Sequence, residues 1–235
     1  MLSSFGLSNV GCVRTNNEDS FLVDPELGLY IVADGMGGAE AGEVASQMAV
    51  QSVHSFLKST SIRDADTLVR AIEHANQRIL DAAGADPRLK GMGTTLVCLL
   101  EAGTECIVAN VGDSRAWMLQ GETLEQLTQD QSWVNEVGRP LGISEDNLRV
   151  HPMRHVLTMA LGVGPQVRVQ VFPVDVPPGS LVLLSSDGLH GVVSEEEVRE
   201  TLLHPISLEH RAHLLIEAAR AAGGPDNITV VLIQH

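Results

Sequence analysis

Apolar positions along this chain follow two periods. Nearly continuous β-branched and aliphatic runs alternate with longer stretches in which apolar residues recur every three or four positions. The first pattern reads as buried strand, the second as a helix lying on an apolar surface. Strand-like runs occupy residues 5–13, 21–23, 29–33, 93–100, 105–111, 116–119, 167–171, 181–186 and 228–233. One helical stripe is made by Ala45, Ala49, Val53 and Leu57, and a second by Leu68, Ile72, Ala75 and Ile79, opened near Asp64 or Asp66 as cap. A capping box, Ser194-Glu195-Glu196-Glu197, starts a third helix that runs to about Leu203. Leu208, Ala212, Leu215 and Ala219 mark a fourth, stopped by Gly223-Gly224-Pro225. Consecutive strands joined by tight turns, as at Glu101-Ala102-Gly103 and Gln120-Gly121, predict antiparallel sheets. Periodicity weakens from 127 to 164, a length that in a compact domain points to a functional loop or lid. With no repeat and no linker, residues 1–235 are expected to form one domain.

The polar residues that break these runs recur in one form. Leu29-Tyr30-Ile31-Val32-Ala33 ends in Asp34-Gly35-Met36-Gly37-Gly38. A second run ends in Val111-Gly112-Asp113 and a third in Ser186-Asp187-Gly188, while Asp226-Asn227 leads into the last strand. A single Asp-Gly pair marks an ordinary turn. Four strand ends that each carry an Asp, far apart in sequence, suggest carboxylates converging on metal. Hard oxygen donors, with no His or Cys beside them in sequence, suit Mn²⁺ or Mg²⁺ rather than zinc or copper. Two such ions about 3.5–4 Å apart share bridging oxygens and lower the pKa of a bound water.

Charge sharpens this picture. The formal net charge is −15, which argues against nucleic acid or an anionic membrane surface as partner. An anionic substrate could approach clustered Asp residues only if divalent cations inverted the local field. Arg14, just before Glu18 and Asp19, offers a guanidinium fork for two phosphoryl oxygens. Cys12, Cys98 and Cys106 are too few and scattered for a disulfide framework or a zinc finger, and none sits in a phosphate-cradling motif. The N-terminus lacks a basic segment followed by an apolar one, and no run reaches membrane-spanning length, so a reducing cytoplasm is the expected location.

Taken in order, Arg14-Thr15-Asn16-Asn17-Glu18-Asp19, Asp34-Gly35-Met36-Gly37-Gly38, Gly93-Thr94-Thr95, Val111-Gly112-Asp113-Ser114-Arg115, Leu127-Thr128-Gln129-Asp130, Ser186-Asp187-Gly188 and Gly224-Pro225-Asp226-Asn227-Ile228-Thr229 cover nearly the whole chain. This ordered set resembles the metal-dependent type 2C (PPM) serine/threonine protein phosphatases, in their compact bacterial form. The resemblance implies an α+β fold: a four-layer α-β-β-α sandwich of two antiparallel sheets flanked by helix pairs. It implies hydrolysis of phospho-Ser and phospho-Thr in proteins by water activated between two Mn²⁺ or Mg²⁺ ions, with a site for a third. Asp34 would bridge the two ions and the Gly35 carbonyl would bind one of them. Asp187 and Asp226 would hold the other, and Glu18 and Asp19 would act on the shell directly or through water. Asp113, with Asp187, would match the extra metal site, and Arg14 would bind the substrate phosphate. Residues from about 130 to 161 would form the flap beside the site, with Trp133, Arg139 and Arg154 as its candidate substrate contacts, against simple solvation of an exposed loop arginine. Phosphorylated proteins, and a cognate Ser/Thr kinase that this phosphatase opposes, are the partners implied.

Three positions depart from the family pattern. Met36, Ala39 and Gln131 stand where various members carry His, and none of the three can give a proton to a leaving alkoxide. The expected acid is then a water on the metal. His151 and His155 have helical metal-ligand spacing, but Pro152 between them speaks against a shared helix. The alternative to an enzyme is a catalytically weakened, phosphoprotein-binding regulatory module. Its support is the missing His set. Against it stands the full complement of carboxylates.

Overall fold

The computed structural model describes residues 2–37, 41–103 and 105–235. The Gly38 and Ala39 positions singled out above lie outside the described residues. In chain order, β1 (Ser3–Asn9), β2 (Asp19–Asp24) and β3 (Leu29–Met36) precede α1 (Ala41–Lys58) and α2 (Ala65–Ala85). The chain continues through β4 (Gly93–Thr94), β5 (Leu96–Ala102), β6 (Glu105–Val111), β7 (Arg115–Gln120) and β8 (Thr123–Gln126). A π-helical turn at Val134–Gly138 and the short α3 (Glu145–Arg149) interrupt the long segment that leads to β9 (Gln170–Val174). Then follow β10 (Leu181–Ser185), α4 (Asp187–His190), α5 (Glu195–Leu203), α6 (Leu208–Ala221) and β11 (Ile228–Gln234).

The strands form two antiparallel sheets. One is ordered β1-β11-β10-β7-β8; the other is β2-β3-β5-β6-β9, with β4 paired to the end of β3. Three apolar layers hold the molecule together. Leu29, Ile31 and Ala33 of β3 face Ala45, Ala49 and Val53 of α1 and Leu68, Ile72 and Ile79 of α2. Tyr30 and Val32, the alternate residues, face the other sheet through Val182, Leu184, Val231 and Ile233. On the far side, Ile228, Val230 and Leu232 pack against Val198 and Leu202 of α5 and Ala212, Leu215 and Ala219 of α6. Both faces of each sheet are therefore buried. That is why antiparallel strands, which commonly alternate apolar and polar, here read as unbroken apolar runs. The order helix pair, sheet, sheet, helix pair is the expected four-layer sandwich.

Several boundaries differ from the sequence reading. The first strand stops at Asn9, because the Asn9 side chain accepts the Gly11 N–H at 2.9 Å and the chain turns there. The run 93–100 is broken at Thr95, which leaves the ladder to bond the backbone of Asp34. The strand expected at 167–171 lies at Gln170–Val174, where Pro173 is tolerated on the sheet edge. The short strand β8 was not legible in its mixed Thr-Leu-Glu-Gln sequence. Asp64 is the α2 cap, accepting the Thr67 N–H at 2.8 Å, and the Ser194–Glu197 capping box is formed in full.

Candidate active site

The carboxylate-bearing strand ends come together at one end of the sandwich. Their cleft has a volume of about 820 Å³, and Arg14, Glu18, Asp34, Gly35, Asp113, Asp187 and Asp226 all line it. The contributions come from both sheets: Asp34 from the end of β3, Asp113 from the turn after β6, Asp187 from the first residue of α4 after β10, and Asp226 from just before β11. Asp19 is placed differently. It is opposite Asp34 in the β2–β3 ladder but only 8% exposed, behind the cleft wall.

Backbone bonding makes this end rigid. The Asp34 N–H donates to Thr95 Oγ1 at 3.0 Å, and its carbonyl accepts from the Thr95 N–H and from Thr94 Oγ1, both at 2.9 Å. Thr95 Oγ1 in turn lies 2.7 Å from Ser114 Oγ, beside Asp113. The glycine after Asp34, which lines the cleft, also has a packing role. A Cβ on Gly35 would sit 2.2 Å from the Gly42 carbonyl of α1, so this glycine lets the helix close onto the strand. Gly188 does the same after Asp187: a Cβ there would lie 1.8 Å from the Asn227 carbonyl.

Asn227, which the sequence reading quoted only as part of a motif, ties the Arg14 loop to the opposite sheet. Its Oδ1 accepts the Glu18 N–H at 2.7 Å, and its Nδ2 donates to the carbonyls of Val10 at 3.0 Å and Asn16 at 2.9 Å. Arg14 spends Nη2 on Asp226 Oδ2 at 2.8 Å, with its side chain half exposed toward the cleft. Gln131 points elsewhere. It is fully buried, accepts the Gly112 N–H at 2.8 Å and donates to the Arg168 carbonyl at 2.8 Å, so it braces the Asp113 turn and does not face the cleft. Asp130 is engaged by both guanidinium arms of Arg115, at 2.9 and 2.7 Å. Met36 does line the cleft. Trp133 and Arg139 do not: His151 stacks on Trp133 at 4.2 Å, and Arg139 pairs with Glu145. Arg154 is exposed and likewise outside the lining.

One titratable residue of the lining was given no role. His155, from the segment expected to form the flap, joins the carboxylates in the cleft. Its spacing from His151 had directed attention to a metal pair, whereas the two rings go to different places. Pro152 was the signal that they separate.

The electrostatics are those of a concentrated negative site. Burial first, and then repulsion from Asp19, Asp187, Asp113 and Asp226, raises the Asp34 carboxyl well above the usual carboxylate range. Burial likewise pushes Asp19 up to about 7, against hydroxyl hydrogen bonds that lower it. Asp113 is also pushed up to about 7, by burial and then by Asp187 and Asp130. Burial and then Asp226 raise Asp187, while its bond to Asp34 and the charges of His155 and Arg14 pull the other way. Burial raises Glu18, with Arg14 opposing. Two buried oxygens, Asp19 Oδ1 and Asp187 Oδ1, have no hydrogen-bond partner, and an orphaned buried carboxylate oxygen is costly. Among the described residues no three His, Cys, Asp or Glu side chains already close around one point. The fit to a cation therefore rests on the donor set, all hard oxygen, and on the orphaned Asp187 Oδ1, the one of the two that lines the cleft; both match Mn²⁺ or Mg²⁺. Divalent ions held there supply an acidified water and offset the negative charge of a phosphoryl group.

A two-sheet sandwich with an oxygen-donor cleft between its sheet ends, gripped by one arginine, defines a metal-dependent phosphate-ester hydrolase. Residues 13–216 match the family described as "Protein phosphatase 2C". The chain is 40% identical over 233 residues to the serine/threonine phosphatase Stp of Listeria welshimeri, covering 96% of this chain and 92% of that one. Its structure superposes on the S. agalactiae serine/threonine phosphatase with a TM-score of 0.93 at 31% identity, covering 100% and 99% of the two chains. It also matches the catalytic domain of the phosphatase PstP in complex with two manganese ions, with a TM-score of 0.89 at 35% identity, over 99% and 97%. The chain belongs to the protein phosphatase 2C family and is a metal-dependent protein serine/threonine phosphatase. Among the described residues, no helix is long and apolar enough to cross a membrane.

Proposed function

We propose that the cleft removes phosphate from phospho-Ser and phospho-Thr in proteins by in-line attack of water, without a phosphoenzyme. In this reading Asp34 and the Gly35 carbonyl form the centre of the cation site, and Asp187 and Asp226 hold the second ion. Glu18 acts in the shell. Asp19 acts from behind, through its neighbours. Asp113, with Asp187, offers a third position. Arg14 grips the phosphate, and its tether to Asp226 sets the grip beside the ions. The observation that carries the reading is the convergence of Asp34, Asp113, Asp187 and Asp226 from four separate strand ends into one cleft with Arg14. Met36 in the cleft is the one trace of the binding-module alternative among the described residues, and the full set of carboxylates weighs against it.

We further propose that residues 1–235 work as one catalytic unit, with 130–161 as a flap over the site. The partners are then phosphorylated proteins together with a Ser/Thr kinase that the enzyme opposes, in the cytoplasm, with no nucleic-acid or membrane partner. Mn²⁺-dependent hydrolysis of an aryl phosphate and of a phosphothreonine peptide tests the core of the proposal, with Asp34→Ala and Asp187→Ala as controls. Activity that survives in either control, or without a divalent ion, overturns it.

A further inference from the structure

A phosphoserine or phosphothreonine leaving group departs as a strongly basic alkoxide unless a proton meets it. Met36 lines the cleft without a proton to give, and Gln131 faces away from it. The single tyrosine, Tyr30, is buried between the sheets on Glu101. Among the described residues no lysine or cysteine lines the cleft, and the carboxylates there are ionised when they hold cations. Of nine histidines, His155 alone lines it. The others lie outside the lining, and several are engaged elsewhere, as His151 is with Trp133, His54 with Asp24 and His190 with Ser185.

His155 is also held in place. The residues that follow it are stitched to the base of the segment: the Trp133 N–H donates to the Val156 carbonyl at 2.8 Å, and the Thr158 N–H donates to Gln131 at 2.9 Å. Leu161 then exchanges both backbone bonds with Thr94, at 2.9 and 3.0 Å, and Thr94 Oγ1 bonds the Asp34 carbonyl. Bonds therefore run from the Asp34 backbone through Thr94 to Leu161, and the chain between Leu161 and Val156, the neighbour of His155, is fixed by Gln131 and Trp133. The imidazole itself has no hydrogen-bond partner among the described residues.

We propose that His155 is the general acid of this phosphatase, protonating the Ser or Thr oxygen as it leaves phosphorus. Water oxygen bonds to phosphorus as the P–O bond to the side chain breaks, and that oxygen takes the imidazolium proton. The proton shed by the attacking water returns to the imidazole through solvent, leaving alcohol and hydrogen phosphate. His155 thereby takes the place of the water on the metal expected from the sequence.

The proposal rests on the cleft being the hydrolytic site, and its test separates the two. In His155→Gln, kcat/KM for a phosphothreonine peptide falls about a hundredfold. For p-nitrophenyl phosphate, whose leaving group is a weak base, the fall is about threefold, so the ratio of the two drops by more than tenfold. A ratio equal to that of the parent overturns the proposal. If Asp34→Ala still abolishes both reactions, that result leaves the hydrolytic reading standing. A readout independent of turnover is the imidazole Cε1–H resonance of His155 in the Mg²⁺-loaded protein, assigned by its loss in His155→Gln. It shifts on addition of inorganic phosphate; an unmoved resonance also overturns the assignment.

Discussion

Replacing Asn227 by Ala removes one side chain and three hydrogen bonds, to the Glu18 N–H and to the carbonyls of Val10 and Asn16. The residue is 4% exposed, so water replaces these bonds poorly. At about 1 kcal/mol net for each, the loss is roughly 3 kcal/mol. For a protein of this size, about 2–4 °C of melting temperature per kcal/mol converts that to a fall of roughly 6–12 °C. The functional loss is separate, because the three bonds hold both ends of the loop that carries Arg14. Loosening it misplaces the phosphate grip, and kcat/KM should fall by about tenfold or more, chiefly through KM. Asn227→Asp sharpens the test. It keeps an acceptor for the Glu18 N–H but turns a carboxylate toward two carbonyls, so it should be at least as damaging. Thermal melts and steady-state kinetics on the two variants, combined in a double-mutant cycle with Arg14→Ala, separate positioning from bulk stability. In the cycle the Asn227 effect on kcat/KM should nearly vanish once Arg14 is gone. A full Asn227 effect in the Arg14→Ala background, or a melt within 2 °C of the parent, would refute the reasoning.

Three further outcomes follow from the same geometry. Asp19 keeps a proton in the folded, metal-free protein up to a pH of about 7, while its ordinary value is 3.8, so the unfolded chain binds fewer protons in that window. Metal-free stability should therefore decline as pH rises between those values, by up to about 1.4 kcal/mol per pH unit for this group; urea titrations in EDTA at pH 5 and 7 check it, and because Asp34 and Asp113 add to the slope, a slope in Asp19→Asn as steep as that of the parent contradicts it. Gly188→Ala would drive a methyl to 1.8 Å from the Asn227 carbonyl and should cost about 3 kcal/mol or more, so a variant within 1 kcal/mol of the parent in urea disproves that packing. Gln131→His restores an imidazole at a position where family members carry one, yet residue 131 braces the Gly112 turn; peptide turnover should not rise, and a rise would show that the position does face substrate.

The strands were legible because both faces of each sheet are covered, so that Tyr30 and Val32 had to be as apolar as Leu29 and Ile31. The capped helices were legible because Asp64 and Ser194 satisfy backbone donors locally, within three residues. What failed to show was set by contacts distant in sequence. Nothing local says that Thr95 leaves its strand to bond Asp34, or that Gly35 makes room for Gly42 in a helix not yet formed. The expected strand was set three residues early by the alternation of Val167, Val169 and Val171, whereas the ladder runs on through Pro173, which only an edge strand tolerates. The carboxylates were found because Asp after an apolar run is conspicuous. His155 was passed over because it sits in a stretch without periodicity, where only the backbone stitching at 156–158 and 161 decides what faces the cleft. Asp19 was grouped with Glu18 as an adjacent carboxylate, but Asp19 opens β2 and is buried opposite Asp34, while Glu18, still in the preceding loop, lines the cleft.

Asp19 and Asp34 stand directly opposite each other on neighbouring strands, and Ser186 reaches from the other sheet to bond Asp19 at 2.8 Å. Once both lose their protons, like charges in that relation push strands apart. The end of the sandwich that performs the chemistry is thus also its seam, where buried carboxyls from both sheets are made compatible by protons or by cations. Engineering for heat resistance meets a trade-off at this seam. Uncharged residues would close it and remove the reaction with it, whereas added stability at the Leu29–Leu100 end of the same strands leaves the reaction untouched.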